Sequence, residues 1–215
     1  MKKGEKMIVY SVLPRLFDNR CQTRKPGGDP MENGCGKMES FSPQALEMIR
    51  SLGTTHIWYI GMLEQATQTN YSDAGILPCH PEIVKGKAGS PYAVRDYYDV
   101  SPELATNIPN RMAEFHDRTG RTHRAGMGGI MDFVAREYRS DVKPSGTKDL
   151  GEEDDPLVAF SPNNNFYYLP GKSLELDFGE RSRTMMPYHE EPAGATGNDR
   201  FSSHIDKEDW YETVK

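Results

Sequence analysis

Ser42-Pro43-Gln44-Ala45-Leu46-Glu47-Met48-Ile49-Arg50-Ser51-Leu52-Gly53-Thr54-Thr55-His56-Ile57-Trp58-Tyr59-Ile60 decides the fold class, because it sets a capped helix directly before a strand. Ser42 supplies an N-cap hydroxyl and Pro43 a pre-set φ at the first helical position. Ala45, Leu46, Ile49 and Leu52 recur at helical spacing, and Gly53 is placed to end the helix. His56–Ile60 is an apolar, β-rich run too short for a second helix.

Upstream, Met7-Ile8-Val9-Tyr10-Ser11-Val12-Leu13-Pro14 is nearly continuous in apolar residues, as expected of a strand buried on both faces of a parallel sheet. With residues 18–40 reading as a polar, Gly-rich loop, residues 7–60 form one β-loop-α-β unit with a right-handed crossover. Residues 61–107 are a second long excursion, broken at Leu77-Pro78, Gly86, Gly89-Ser90-Pro91 and Ser101-Pro102. Pro109 opens the next helix, in which Met112, Phe115, Thr119 and Thr122 continue to Ala125-Gly126. Ile130-Met131-Asp132-Phe133-Val134 is the third strand, carrying a carboxylate amid apolar residues. Beyond it the β/α rhythm stops: an acidic stretch (Gly151–Asp155), an Asn run (Asn163–Asn165) and Pro/Gly turns follow.

Composition narrows the function classes. The 26 Lys and Arg against 32 Asp and Glu give a net charge of −6, with no basic stripe to track a nucleic acid. No apolar run approaches the ~20 residues of a membrane span, and the N-terminal basic residues lack the apolar core of a signal peptide, so a cytoplasmic protein is expected. Three cysteines cannot all pair, which points to a reducing compartment. The 20 Gly and 15 Pro, with 36% hydrophobic residues, imply extensive loops.

The run Ile8-Val9-Tyr10 through Leu13-Pro14-Arg15-Leu16-Phe17, then Ser42–Gly53, then Thr55–Tyr59, resembles the opening β/α/β of glycoside hydrolase family 13, the α-amylase type. Gly89-Ser90-Pro91-Tyr92-Ala93-Val94-Arg95-Asp96-Tyr97-Tyr98-Asp99-Val100 is similar to that family's Gly-Tyr-x-x-x-Asp-Tyr-Tyr segment, whose aromatic packs on the sugar beside the cleavage point. Thr122–Gly126 with Ile130–Val134 resembles the helix and third strand leading into a strand-end Asp-x-Val-x-Asn-His. The resemblance runs over residues 7–134 and implies a partial (β/α)8 barrel in residues 1–134: three strands and two helices. Residues 135–215 would then begin a loop-rich domain inserted after strand three.

That resemblance implies an α-glucan or maltooligosaccharide substrate, with Tyr92 as a sugar platform and Asp132 in the floor of the sugar site. Read without it, Tyr92 is a packing anchor and Asp132 a capping or ion-paired residue. Asp132-Phe133-Val134 runs straight into Ala135-Arg136-Glu137, so the family's sugar-binding His and calcium-binding Asn are absent. No metal ligand is assigned in this chain, and calcium belongs only to the full-length family. The resemblance also puts the catalytic carboxylates beyond residue 215, so an inactive, truncated glycosidase is expected. Its rivals are a non-catalytic oligosaccharide-binding remnant, a gene fragment, and a family transglycosylase or sugar isomerase.

Several other clusters carry plainer readings. Cys35, Cys79 and His80 lack the Cys-x-x-Cys pairs of a zinc site. Lys85–Ser90 lacks phosphate-loop spacing. Glu152–Asp155 is a solvated acidic face, Asn70-Tyr71-Ser72 matches a glycosylation sequon without a secretory signal, and Phe166-Tyr167-Tyr168 reads as core ahead of a sugar-stacking surface. Gly128-Gly129 should weaken the third strand. Three strands cannot close a barrel, so an open parallel edge and poor stability in isolation are expected.

Overall fold

The computed structural model describes residues 6–81, 84, 86–133, 153–159, 161–164, 168–171, 174–175, 189–190 and 193–194. They fall into two compact units, with described parts over residues 6–133 and 153–194.

The first unit is mixed α/β around a three-stranded parallel sheet. β1 (Val9–Val12), β2 (His56–Tyr59) and β5 (Gly128–Met131) lie in the order β1-β2-β5, with Tyr10 beside Ile57 beside Gly129, and Val12 beside Tyr59 beside Met131. α2 (Pro43–Ser51) links β1 to β2, and α3 (Arg111–Arg124) links β2 to β5. Ser42 Oγ accepts the Ala45 N–H at 3.2 Å, satisfying an otherwise orphaned first-turn donor. α2 buries Leu46 and Ile49 against Val12, Ile57, Tyr59, Met38 and Phe41. Leu52 departs from the expected apolar face: as the C-cap it has turned out of the helix and is 67% exposed.

The expectation of a strand buried on both faces is corrected. Along β1 and β2 burial alternates, with Val12, Ile57 and Tyr59 inside and Val9 and Trp58 exposed. Side chains alternate with period two, and the core packs on one face of the sheet while Val9 and Trp58 look to solvent from the other. The third strand is shifted too. It runs from Gly128 to Met131, so Asp132 and Phe133 lie beyond its end. Gly128 is inside the strand because a Cβ there would strike the His56 ring on β2; the glycine gives up entropy and gains a close approach.

α3 presents a different face from the one its apolar spacing suggests. Met112 is exposed, while Arg118 and Thr122 are buried. The Arg118 guanidinium lies 3.9 Å from the Tyr59 ring centroid, and Tyr59 Oη and Thr122 Oγ1 share a hydrogen bond at 2.6 Å. Arg121 donates to the Phe41 and Met38 carbonyls at 3.0 and 2.8 Å, closing a short 3-10 turn at Met38–Ser40. Within the loop expected over residues 18–40, Asp29 also caps a single helical turn, α1 (Pro30–Asn33), through a capping box with Glu32.

The excursion after β2 is an antiparallel arm rather than plain loop. β3 (Leu63–Gln65) pairs with the seven-residue β4 (Val94–Val100), Glu64 opposite Asp96 and Gln65 opposite Val94. The arm is polar inside: Glu64, Gln65, Arg95, Asp96 and Asp99 are all buried. Arg111 grips both Asp99 carboxylate oxygens, and Arg95 Nε stands 3.7 Å from Glu64 Oε1.

In the second unit the described strands are two-residue pairs, β6 (Tyr168–Leu169) with β9 (Ala193–Gly194) and β7 (Leu174–Glu175) with β8 (His189–Glu190), both antiparallel. Asp155 and Asn164 tie a turn together, Asn164 Oδ1 accepting the Asp155 N–H and Asn164 Nδ2 donating to the Asp155 carbonyl. Tyr168 is buried, its hydroxyl donating to Asp154 at 3.2 Å; Phe166 and Tyr167 lie outside the described residues, as does Glu152 of the acidic stretch. Among the described residues, no helix is long and apolar enough to cross a membrane.

Candidate functional site

The chain just past β1 and β2 reaches one turn, residues 88–92, and the chain just past β5 bonds to the end of β2. Arg15 follows β1, Gly61 follows β2 and Asp132 follows β5. Open parallel α/β sheets place their ligands at this edge, since the loops that vary are anchored there on rigid strands.

Arg15 Nη2 donates to the Ala88 carbonyl at 2.9 Å and Nη1 to the Gly89 carbonyl at 3.4 Å. The same guanidinium is paired with Glu103 at 2.8 Å. Glu103 is 3% exposed and also accepts from Gln65 Nε2, while Lys37 Nζ donates to the carbonyls of Glu103 and Ala105. Gly61 and Gly89 both sit at positive φ, 71° and 69°, and both are packed too tightly for a Cβ: Gly61 against Pro91, Gly89 against the Ala66 carbonyl. Asp132 Oδ1 accepts the Gly61 N–H at 3.1 Å, and Asp132 Oδ2 is buried with no hydrogen-bond partner among the described residues.

Tyr92 stands on this braced turn, its N–H donating to Ser90 Oγ at 3.3 Å. Tyr92 is nevertheless 52% exposed. Beside Asp132, Phe133 stacks on Tyr97 with centroids 4.9 Å apart. Tyr92 and Asp132 are thus joined through Pro91 and Gly61, two residues that sequence reasoning passed over. Arg15 and Glu103 were also missed as site residues, although Arg15 stands within the Leu13-Pro14-Arg15 run; nothing in local sequence says that it reaches a turn over seventy positions away.

The remaining candidates lie elsewhere. Burial, reinforced by the neighbouring Glu103 charge, pushes the Cys35 thiol up to about 12, and burial also raises Cys79. Both stay protonated at neutral pH, the form that neither attacks nor ligates. Among the described residues no three His, Cys, Asp or Glu side chains are grouped to hold a metal. Asn70 is exposed and closes an Asx turn onto the Ser72 N–H. Lys85 lies outside the described residues, and Gly86–Gly89 is the loop feeding Tyr92.

In the arm, buried Glu64 has both oxygens without a hydrogen-bond partner among the described residues, and burial raises its carboxyl to about 8. Its ion pair with Arg95 opposes that rise, but at 3.7 Å without a hydrogen bond it is the weaker effect.

No protein-family model and no curated protein matches the chain. Solved structures do. The solved structures it resembles include several α-amylases. An α-amylase from Lactobacillus plantarum shares 25% identity over 60% of this chain and 22% of its own, with a TM-score of 0.40. A noncanonic maltogenic α-amylase from Thermotoga neapolitana shares 23% over 60% and 23%, TM-score 0.40. An α-amylase from Geobacillus thermoleovorans, complexed with acarbose, shares 21% over 61% and 24%, TM-score 0.41. The chain spans less than a quarter of the length of each of these three.

Proposed function

We propose that this chain is the front of an α-amylase-type glycosidase barrel, with strands β1, β2 and β5 as its first three, and that its site holds a glucosyl unit of an α-1,4-glucan. The observation that carries the reading is the half-exposed Tyr92 on a turn held from the ends of β1 and β2, with the end of β5 bonded to Gly61 behind it. A flat, apolar ring face matches the C–H face of a pyranose, and a rigid mount spares the ordering cost of binding. Asp132 Oδ2, a buried acceptor with no partner among the described residues, suits a sugar hydroxyl donor. The ordered run of motifs over residues 7–134 supports the same family reading.

Retaining glycosidases use two carboxyls ~5–5.5 Å apart, one attacking the anomeric carbon and one protonating the leaving oxygen. Asp132 is engaged with Gly61, and Glu103 with Arg15 and Gln65, so neither is free for that chemistry. The reading is thus saccharide binding by this chain, with turnover assigned to neither Asp132 nor Glu103. Titration of the purified chain with maltoheptaose, beside a reducing-sugar assay on the same sample, tests both halves. Saturable binding without turnover is expected. Absence of binding overturns the saccharide reading, and turnover that survives repurification overturns the inactivity.

A further inference from the structure

Arg15 has a geometry that a simple ion pair with Glu103 does not need. Its guanidinium spends one nitrogen on both Glu103 Oε1 and the Ala88 carbonyl and turns a second toward the Gly89 carbonyl. The acid behind it is locked: Glu103 is 3% exposed, takes a further bond from Gln65, and belongs to a backbone held by Lys37. A planar fork held at one nitrogen by a buried carboxylate can deliver two donors in a set direction. Those donors meet the backbone three and four residues before Tyr92.

The chain on either side of the turn is hydrogen-bonded to residues 66–68, the Lys87 carbonyl accepting from the Gln68 N–H and Thr67 Oγ1 and the Ala93 carbonyl from the Ala66 N–H, whereas the carbonyls of Ala88 and Gly89 are met by Arg15. Gly89 contacts the Ala66 carbonyl, and Pro91 contacts Gly61, but these are packing contacts that block approach rather than hydrogen bonds that set an angle. Two bonds close the turn into one body, Ala93 N–H to the Ser90 carbonyl and Tyr92 N–H to Ser90 Oγ. Arg15 is the group that ties this body to the end of β1.

We infer that Arg15 is a positioning residue: held by Glu103, it fixes the Ala88–Gly89 backbone and so aims the Tyr92 ring at bound saccharide. The role in saccharide binding rests on the function proposed above, whereas the aiming of the ring does not. Arg15→Lys is the informative change. A lysine keeps the charge beside Glu103 and so keeps the fold, but a single ammonium cannot reproduce the two-carbonyl fork.

The full chain, labelled with 3-fluorotyrosine, reports on this by fluorine NMR, with Tyr92 assigned through Tyr92→Phe. In Arg15→Lys the Tyr92 resonance moves or broadens while that of the exposed Tyr98 on β4 does not. Maltoheptaose affinity falls about three- to tenfold, the cost of ordering one freed side chain. In a Tyr92→Ala background the same Arg15→Lys change costs nothing further, because an effect exerted through Tyr92 disappears with its ring. An unmoved Tyr92 resonance overturns the inference. So does an equal loss of affinity in both backgrounds, which is the mark of a merely structural role. If the wild-type chain binds no maltoheptaose yet the Tyr92 resonance still moves, the positioning role stands and the saccharide reading falls.

Discussion

Asp132 accepts the Gly61 backbone N–H through Oδ1 at 3.1 Å and keeps Oδ2 buried without a partner among the described residues. One carboxylate thus ties the end of β5 to the end of β2 and keeps a second, buried acceptor, which the proposed function gives to a sugar hydroxyl. The two roles separate by substitution. Asp132→Asn retains an acceptor for Gly61, so the melting temperature holds, while maltoheptaose affinity falls roughly tenfold through loss of a charge-assisted hydrogen bond. Asp132→Ala removes the partner of the Gly61 N–H and costs about 1–3 kcal/mol of stability as well. Equal affinities for wild type and Asp132→Asn rule out contact between Oδ2 and the sugar.

Gly61 tests the mount of the Tyr92 turn. Alanine there must adopt φ near 71° and meets Pro91 with its Cβ. The left-handed conformation alone costs roughly 1–2 kcal/mol, so Gly61→Ala should lower the urea midpoint, whereas Gly75→Ala, also at positive φ but with open space around it, costs only the conformational part. Equal losses at the two sites would show that Pro91 yields freely.

Glu64 makes stability depend on pH. Its folded-state carboxyl titrates at about 8 against an ordinary 4.5, because burial disfavours the charge. The folded chain therefore holds a proton there that the unfolded chain has released. The stabilisation is complete below about 4.5 and is lost as pH rises to about 8. Urea denaturation at about pH 5 and about pH 8 should show the decline, with Glu64→Gln flattening it. A Glu64→Gln profile parallel to wild type contradicts the assignment.

Arg118 is a buried cation over Tyr59 and Phe115, its Nε without a hydrogen-bond partner among the described residues and its pKa lowered by burial. Burial of a charge without an acid costs more than the ring contacts return. Arg118→Met fills similar volume without that cost, and thermal melts should show a gain of about 1 kcal/mol. A loss of that size would mean that the cation–π contacts outweigh desolvation.

The β1-α2-β2 core was readable because local chemistry and tertiary need coincide there: Ser42 and Pro43 start a helix in any context, and Ile57 and Tyr59 have no other place to go. The arm was not readable because β4 interleaves Arg95, Asp96 and Asp99 with apolar residues, and a strand that buries charge looks in sequence like a solvated loop. Arg118 and Thr122 hid the inner face of α3 in the same way. At the site, Tyr92 and Asp132 stood out through motif resemblance, while Arg15, Gly61 and Glu103 matter through contacts between distant segments that no local pattern encodes.

On the function proposed above, Tyr92 is a saccharide platform on a rigid mount. Calorimetric titration of maltoheptaose into wild type, Tyr92→Ala and the control Tyr98→Ala tests it most directly, since both rings are about half exposed. The account predicts saturable binding by wild type and Tyr98→Ala, and binding at least about tenfold weaker in Tyr92→Ala at an unchanged melting temperature, as expected for loss of a stacked aromatic. Equal affinity in wild type and Tyr92→Ala would contradict it.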